Sequence, residues 1–120
     1  MRQFRAPLGI VIIIISLMAP GVVLAAFPPV QFVAVRSPVP HGGQGLVGIH
    51  TSSTTYCTIT VVYKSGPSHA TGLEPRISDS KGNIAWVWKI GTRTTPGIWP
   101  IIVECGRGEI TRIRTTFEVI

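Results

Sequence analysis

Beyond residue 26 the 120-residue chain has no stretch of apolar residues at helical spacing, which excludes a bundle or an α/β layer architecture for most of its length. Acidic residues are scarce as well. The five carboxylates are Glu74, Asp79, Glu104, Glu109 and Glu118, and no two are spaced as an acid and base pair would be. The three histidines, His41, His50 and His69, sit in or beside Gly-, Ser- or Thr-rich segments, without a metal-ligand spacing such as HExxH. No serine lies in a GxSxG elbow, so Ser65 in Ser-Gly-Pro-Ser has no nucleophile setting. The glycines of His-Gly-Gly-Gln-Gly, residues 41–45, do not lead a strand into a helix, which argues against a phosphate cradle. These gaps point away from an enzyme and give no reason to expect a metal or other cofactor.

Cysteine is nearly absent too, and the two that occur are informative. Cys57 and Cys105 each lie on an alternating apolar stretch, too far apart for a CxxC redox pair and without companions for a metal site. The expectation is a structural disulfide. Its compartment is suggested by the N-terminus, where Arg2 and Arg5 precede an apolar run ending in small residues, the layout of a secretory signal peptide cut after Ala25. Leu8 to Ala26 is also 19 residues without a charge, close to the roughly 20 that span a bilayer, so a retained membrane anchor over residues 8–26 is the rival expectation. In either case the chain from residue 27 onward is expected outside the cytoplasm, secreted or at the cell surface.

Three segments follow from this: a signal peptide at 1–25, a proline-rich segment with an edge strand at 26–43, and a β-sandwich at 44–120. The last two keep nine of the eleven basic residues against all five acids, a net charge of +4 that permits attraction to anionic surfaces without requiring it. Strand and turn signals alternate at nearly regular spacing, the rhythm of an all-β sandwich. Strands are expected near 30–36, 44–51, 56–63, 83–90, 98–105 and 110–119, with a weak one near 71–78. Prolines on both sides of the first confine it to an edge or a linker. Turns are expected at Ser-Gly-Pro-Ser (65–68), Ser-Asp-Ser-Lys-Gly-Asn (78–83), Thr-Thr-Pro-Gly (94–97, type II) and Cys-Gly-Arg-Gly-Glu (105–109).

Period two assigns the inward faces. Cys57, Ile59, Val61 and Tyr63 share one, Ile84, Trp86, Trp88 and Ile90 another. Trp99, Ile101, Val103 and Cys105 form a third, and Ile113, Phe117 and Val119 a fourth. With both cysteines inward on different strands, the expected bond joins the two packed sheets. The outward Lys89, Arg112 and Arg114, with Arg93, are a candidate basic stripe, for which the plainer account is protection of strand edges against pairing. Stacking of Trp86, Trp88 and Trp99 on sugar rings is the alternative to their packing in the core.

The run Gly-Asn-Ile-Ala-Trp-Val-Trp-Lys-Ile-Gly-Thr-Arg-Thr-Thr-Pro-Gly-Ile-Trp-Pro-Ile-Ile-Val-Glu-Cys, residues 82–105, resembles the late strands of bacterial extracellular immunoglobulin-like and fibronectin type III-like domains. The resemblance extends over residues 30–119. It implies an immunoglobulin-like sandwich of about seven antiparallel strands with one inter-sheet disulfide. It also implies a non-enzymatic, secreted or surface-attached module for structural or protein-interaction roles. Alternatives are a binding module for an anionic or carbohydrate cell-surface polymer and an accessory subunit of an extracellular enzyme. The expected partner is an unidentified protein or cell-surface polymer. No specific nucleic acid is expected, and a membrane only through the N-terminal segment. The short Cys57–Cys105 spacing departs from antibody-type domains.

Overall fold

A computed structural model describes residues 26–120. The signal-peptide and anchor expectations fall on residues 1–25, outside the described residues. Eight strands form: β1 (Val30–Val35), β2 (Gln44–Thr51), β3 (Tyr56–Tyr63), β4 (Gly66–Pro67), β5 (Arg76–Ile77), β6 (Asn83–Lys89), β7 (Gly97–Cys105) and β8 (Thr111–Val119). No helix among the described residues is long and apolar enough to cross a membrane. The weak strand expected over 71–78 shrinks to the two residues of β5, and the two-residue β4, paired with the end of β3, went unanticipated.

The strands divide into two antiparallel sheets. One has the order β1-β2-β6; the other has the order β4-β3-β7-β8, with β5 also paired to β3. Their inward faces supply the core, where Val47, Ile49, Val61, Trp86, Ile90, Ile101 and Val103 have no exposed surface. Alternation is strict in β6: Ile84, Trp86 and Trp88 are buried, while Ala85, Val87 and Lys89 are exposed. Tyr63, Trp99 and Ile113, expected as core residues, are only half-buried at its margin.

A buried indole must find an acceptor for its N–H. Trp86 Nε1 donates to the Glu74 carbonyl at 2.8 Å, tying the chain before β5 across β6, and Trp88 Nε1 donates to the Tyr63 hydroxyl at 3.0 Å, from one sheet to the other. The Trp88 ring meets Phe117 edge-on at 5.9 Å and lies over Gly45, its cross-strand partner on β2. A Cβ at position 45 would stand 2.4 Å from Cε2 and Cζ2 of that ring, so glycine is what admits the tryptophan.

The disulfide joins Cys57 to Cys105, but within one sheet. The two residues are direct partners in the β3–β7 register, so the inter-sheet bond expected from strand phasing is corrected. Phasing establishes that both side chains point inward; it says nothing about which sheet each strand joins. The Gly106 amide donates to the Tyr56 carbonyl, so the next pair, Cys57 and Cys105, is a non-hydrogen-bonded one. At such pairs cross-strand side chains come closest, and here the Cα atoms are 4.1 Å apart.

β1 takes the edge position that its flanking prolines require. After it the chain crosses to the other sheet, where Val39 is buried and pairs in parallel with Val119. Three backbone bonds hold this crossing: Val39 N to Glu118 O, Ile120 N to Val39 O, and His41 N to Ile120 O.

The turn at 78–83 forms as expected. Asp79 Oδ1 accepts the amides of Lys81 and Asn83, both at 2.9 Å, and Gly82 has a φ of +84°, which its position beside the Thr51 carbonyl also demands. These backbone donors, Asn83 foremost, hold the Asp79 carboxyl below its ordinary value. The type II turn expected at 94–97 is displaced: the chain reverses at Gly91–Thr94, closed by Thr94 N to Gly91 O, and Gly97 already belongs to β7.

Candidate functional site

A recess with a distinct chemical lining lies at the end of the sandwich away from the disulfide, beside the point where a proline interrupts a central strand. Hydrogen-bonded pairs toward β3 fall on alternate residues of β7, so counting from Gly106 they fall on Glu104, Ile102 and Pro100. Pro100 has no N–H to give. Pairing stops at Val61–Ile101 although β3 continues to Tyr63 and β7 begins at Gly97. Beyond that point the end of β3 and the β6–β7 connection are free to part, and a cleft of about 530 Å³ opens between them. Tyr63, Lys64, Ser65, Arg93, Thr94 and Thr95 line it.

Tyr63 forms the inner wall. Its ring packs edge-on against Trp99 at 6.3 Å and Phe117 at 6.2 Å, and its hydroxyl oxygen accepts the Trp88 indole N–H. Trp99 in turn donates to the Thr95 carbonyl at 2.8 Å, which fastens the far lip of the cleft. Burial raises the Tyr63 phenol above its ordinary value of 10.0, and the bond from Trp88 only partly offsets this. A folded-state value above the unfolded one means that the neutral phenol contributes stability below about pH 10 and loses it as pH rises further. In an absorbance titration of the folded protein, one tyrosine is therefore expected to ionise above pH 10, returning to the ordinary value in denaturant. A folded-state titration indistinguishable from the denatured one would contradict this environment.

The four candidate basic residues do not lie together. Lys89 is on the outer face of the three-stranded sheet, where its ammonium donates to the Gly42 carbonyl at 3.3 Å. Arg93 is in the cleft-lining connection after β6. Arg112 and Arg114 are exposed on the outer face of β8 in the other sheet. The stripe expected from outward positions on late strands is thus split, because the two outer faces of a sandwich point in opposite directions. Arg112 sits opposite Glu104 at 3.7 Å, an exposed pair of small energetic value.

Trp86 and Trp88 are 0% and 2% exposed, which removes both from any sugar-stacking role; Trp99 is half-buried. The histidines are all exposed, His41 and His50 each bonded through one ring nitrogen to a backbone carbonyl, of Ile120 and Lys81 respectively. Among the described residues no three His, Cys, Asp or Glu side chains stand close enough to share a metal ion. At the opposite end, a recess of about 310 Å³ is lined by Ala26, Tyr56, Arg107 and Glu109 among others, with the Arg107 guanidinium over the Tyr56 ring at 4.3 Å.

Sequence reasoning placed Tyr63 in the core, took Ser65, Thr94 and Thr95 as turn residues, with Ser65 set aside as a nucleophile, and did not single out Lys64. Pro100, inside a strand whose neighbours are all apolar, was the available signal, since proline in a central strand marks a break in pairing.

No protein-family model matches the chain, and no curated protein does. Among solved structures it is similar to a family 123 glycoside hydrolase from Clostridium perfringens, with 14% identity, a TM-score of 0.41, and coverage of 68% of this chain and 22% of that one. It is also similar to a β-glucosidase from Listeria innocua in complex with glucose, with 10% identity, a TM-score of 0.44, and coverage of 77% and 16%. The chain thus spans less than a quarter of either enzyme, and at these scores the likeness bears on neither substrate nor activity.

Proposed function

We propose that the chain is an exported, non-enzymatic immunoglobulin-like module that binds an extracellular partner through the cleft beside Tyr63. The observation that carries the reading is the buried bond between Cys57 and Cys105. Such a bond persists in an oxidising compartment and is uncommon in the cytosol. The strand division supports the immunoglobulin-like assignment: first, second and sixth strands in one sheet, third and last two in the other, as in the two sheets of constant-type domains. Binding, rather than a purely structural role, is supported by the cleft, because loops carried at one end of a rigid sandwich are where such folds hold ligands.

Fractionation of the producing cells tests the proposal. The protein is expected outside the cytoplasm, with a mass two hydrogens below that of its reduced form and lacking residues 1–25. Recovery from the cytoplasm with both thiols reduced would reject it.

A further inference from the structure

We propose that the cleft is a binding site for an acidic polysaccharide, with Lys64 and Arg93 taking a sugar carboxylate and the hydroxyls of Ser65, Thr94 and Thr95 meeting the sugar's own. The inference rests on the reading of the chain as an exported binding module and names the ligand class for its site.

Charge is the first argument. Both cations line the recess and none of the five carboxylates does. Among the described residues, the one ion pair is Glu104 with Arg112, so neither Lys64 nor Arg93 is neutralised by an acid. Three other basic side chains are engaged, Lys89 on the Gly42 carbonyl, Arg36 on the Gln44 carbonyl and Arg107 over Tyr56, and Arg76, Lys81 and Arg114 stand outside the recess. Two cations converging on one recess also attract an anion more strongly than the flat outer face of β8, where Arg112 is already paired with Glu104.

Donor chemistry is the second. The Tyr63 oxygen has accepted the Trp88 N–H, leaving its own O–H as a donor. The Thr95 carbonyl is occupied by the Trp99 indole. What faces the recess is therefore a surplus of donors with hydroxyls that can also accept, which suits a carboxylate set among sugar hydroxyls. A nucleic acid would call for a longer track of cations or an open aromatic face, and the rings of Tyr63 and Trp99 are packed edge to face against each other. The volume falls within the roughly 300–1,000 Å³ of small-ligand sites.

The full chain is titrated with an oligogalacturonate, with the methyl ester of the same oligomer and with polyphosphate, following backbone amide resonances. The oligogalacturonate is expected to shift the amides of Lys64, Ser65, Thr94 and Thr95, and the ester to bind at least tenfold more weakly. A Lys64→Gln, Arg93→Gln variant is expected to lose at least tenfold in affinity, and an Arg112→Gln, Arg114→Gln variant less than twofold. Equal binding of the ester would overturn the proposal in favour of neutral sugar recognition. Polyphosphate binding as tight as oligogalacturonate, or loss confined to the Arg112 and Arg114 variant, would reduce it to general attraction for anions. Amides that stay unmoved in a protein that is exported and oxidised would sink the ligand class alone and leave the export reading standing.

Discussion

Alanine at position 45 is expected to destabilise the fold by about 3 kcal/mol or more, the upper part of the range for overpacking a core. The added Cβ would lie 2.4 Å from two carbons of the Trp88 ring, well inside contact distance. Flexible side chains relieve such overlaps by swinging aside, but this ring has nowhere to go. Its N–H is bonded to Tyr63, it packs edge-on against Phe117, and it is 2% exposed. Valine should be worse than alanine, and a Trp88→Leu partner should restore much of the loss by vacating the overlap. Chemical denaturation of the two single variants and the double variant gives the coupling energy directly. Additive losses would mean that the strands, rather than the ring, absorb the strain.

Removing the disulfide should have a cost of similar size, by another route. Cys57 and Cys105 are 48 residues apart, and closing a loop of that length restricts the unfolded chain by about 4 kcal/mol in the entropy model. For a domain of this size, where 1 kcal/mol moves the melting temperature by roughly 4–8 °C, a Cys57→Ala, Cys105→Ala variant should melt about 15–30 °C lower. Reduction should be slow in the native state, because both cysteines are fully buried where the β3–β7 ladder ends, under the Gly106–Tyr56 backbone bond. Reductant access is then limited by opening of those strands, so the reduction rate should rise steeply with denaturant. A rate independent of denaturant would show that the bond is exposed.

Much of this architecture is legible in the sequence because period two is a local signal. The limits of β2 and β3 emerge as the alternation sets them, and the burial of Trp86 and Trp88 follows from their phase with Ile84 and Ile90. What escapes is pairing, which is not local. Phase puts Cys57 and Cys105 on inward faces without saying that their strands are neighbours. It makes Lys89 and Arg114 both outward without saying that they face opposite sides. The cleft escapes for the same reason: Pro100 is visible as an interruption, but its consequence depends on Val62 being the residue opposite, a fact of register. The two-residue strands β4 and β5 are too short to carry any period.

The crossing of the chain at Val39 has a mechanical consequence. Ala26 lies at the disulfide end of the sandwich and Ile120 at the cleft end, so tension applied to these two residues runs along the strands. Val39 and Val119 advance in the same direction, and pulling their flanking segments apart slides one past the other. The three backbone bonds there are loaded together instead of opening singly like a zipper. If that patch yields, the Cys57–Cys105 link still withholds the intervening chain, about 160 Å at full extension, from the stretch. A module built this way is expected to resist force at that patch and then to yield only a short length of chain.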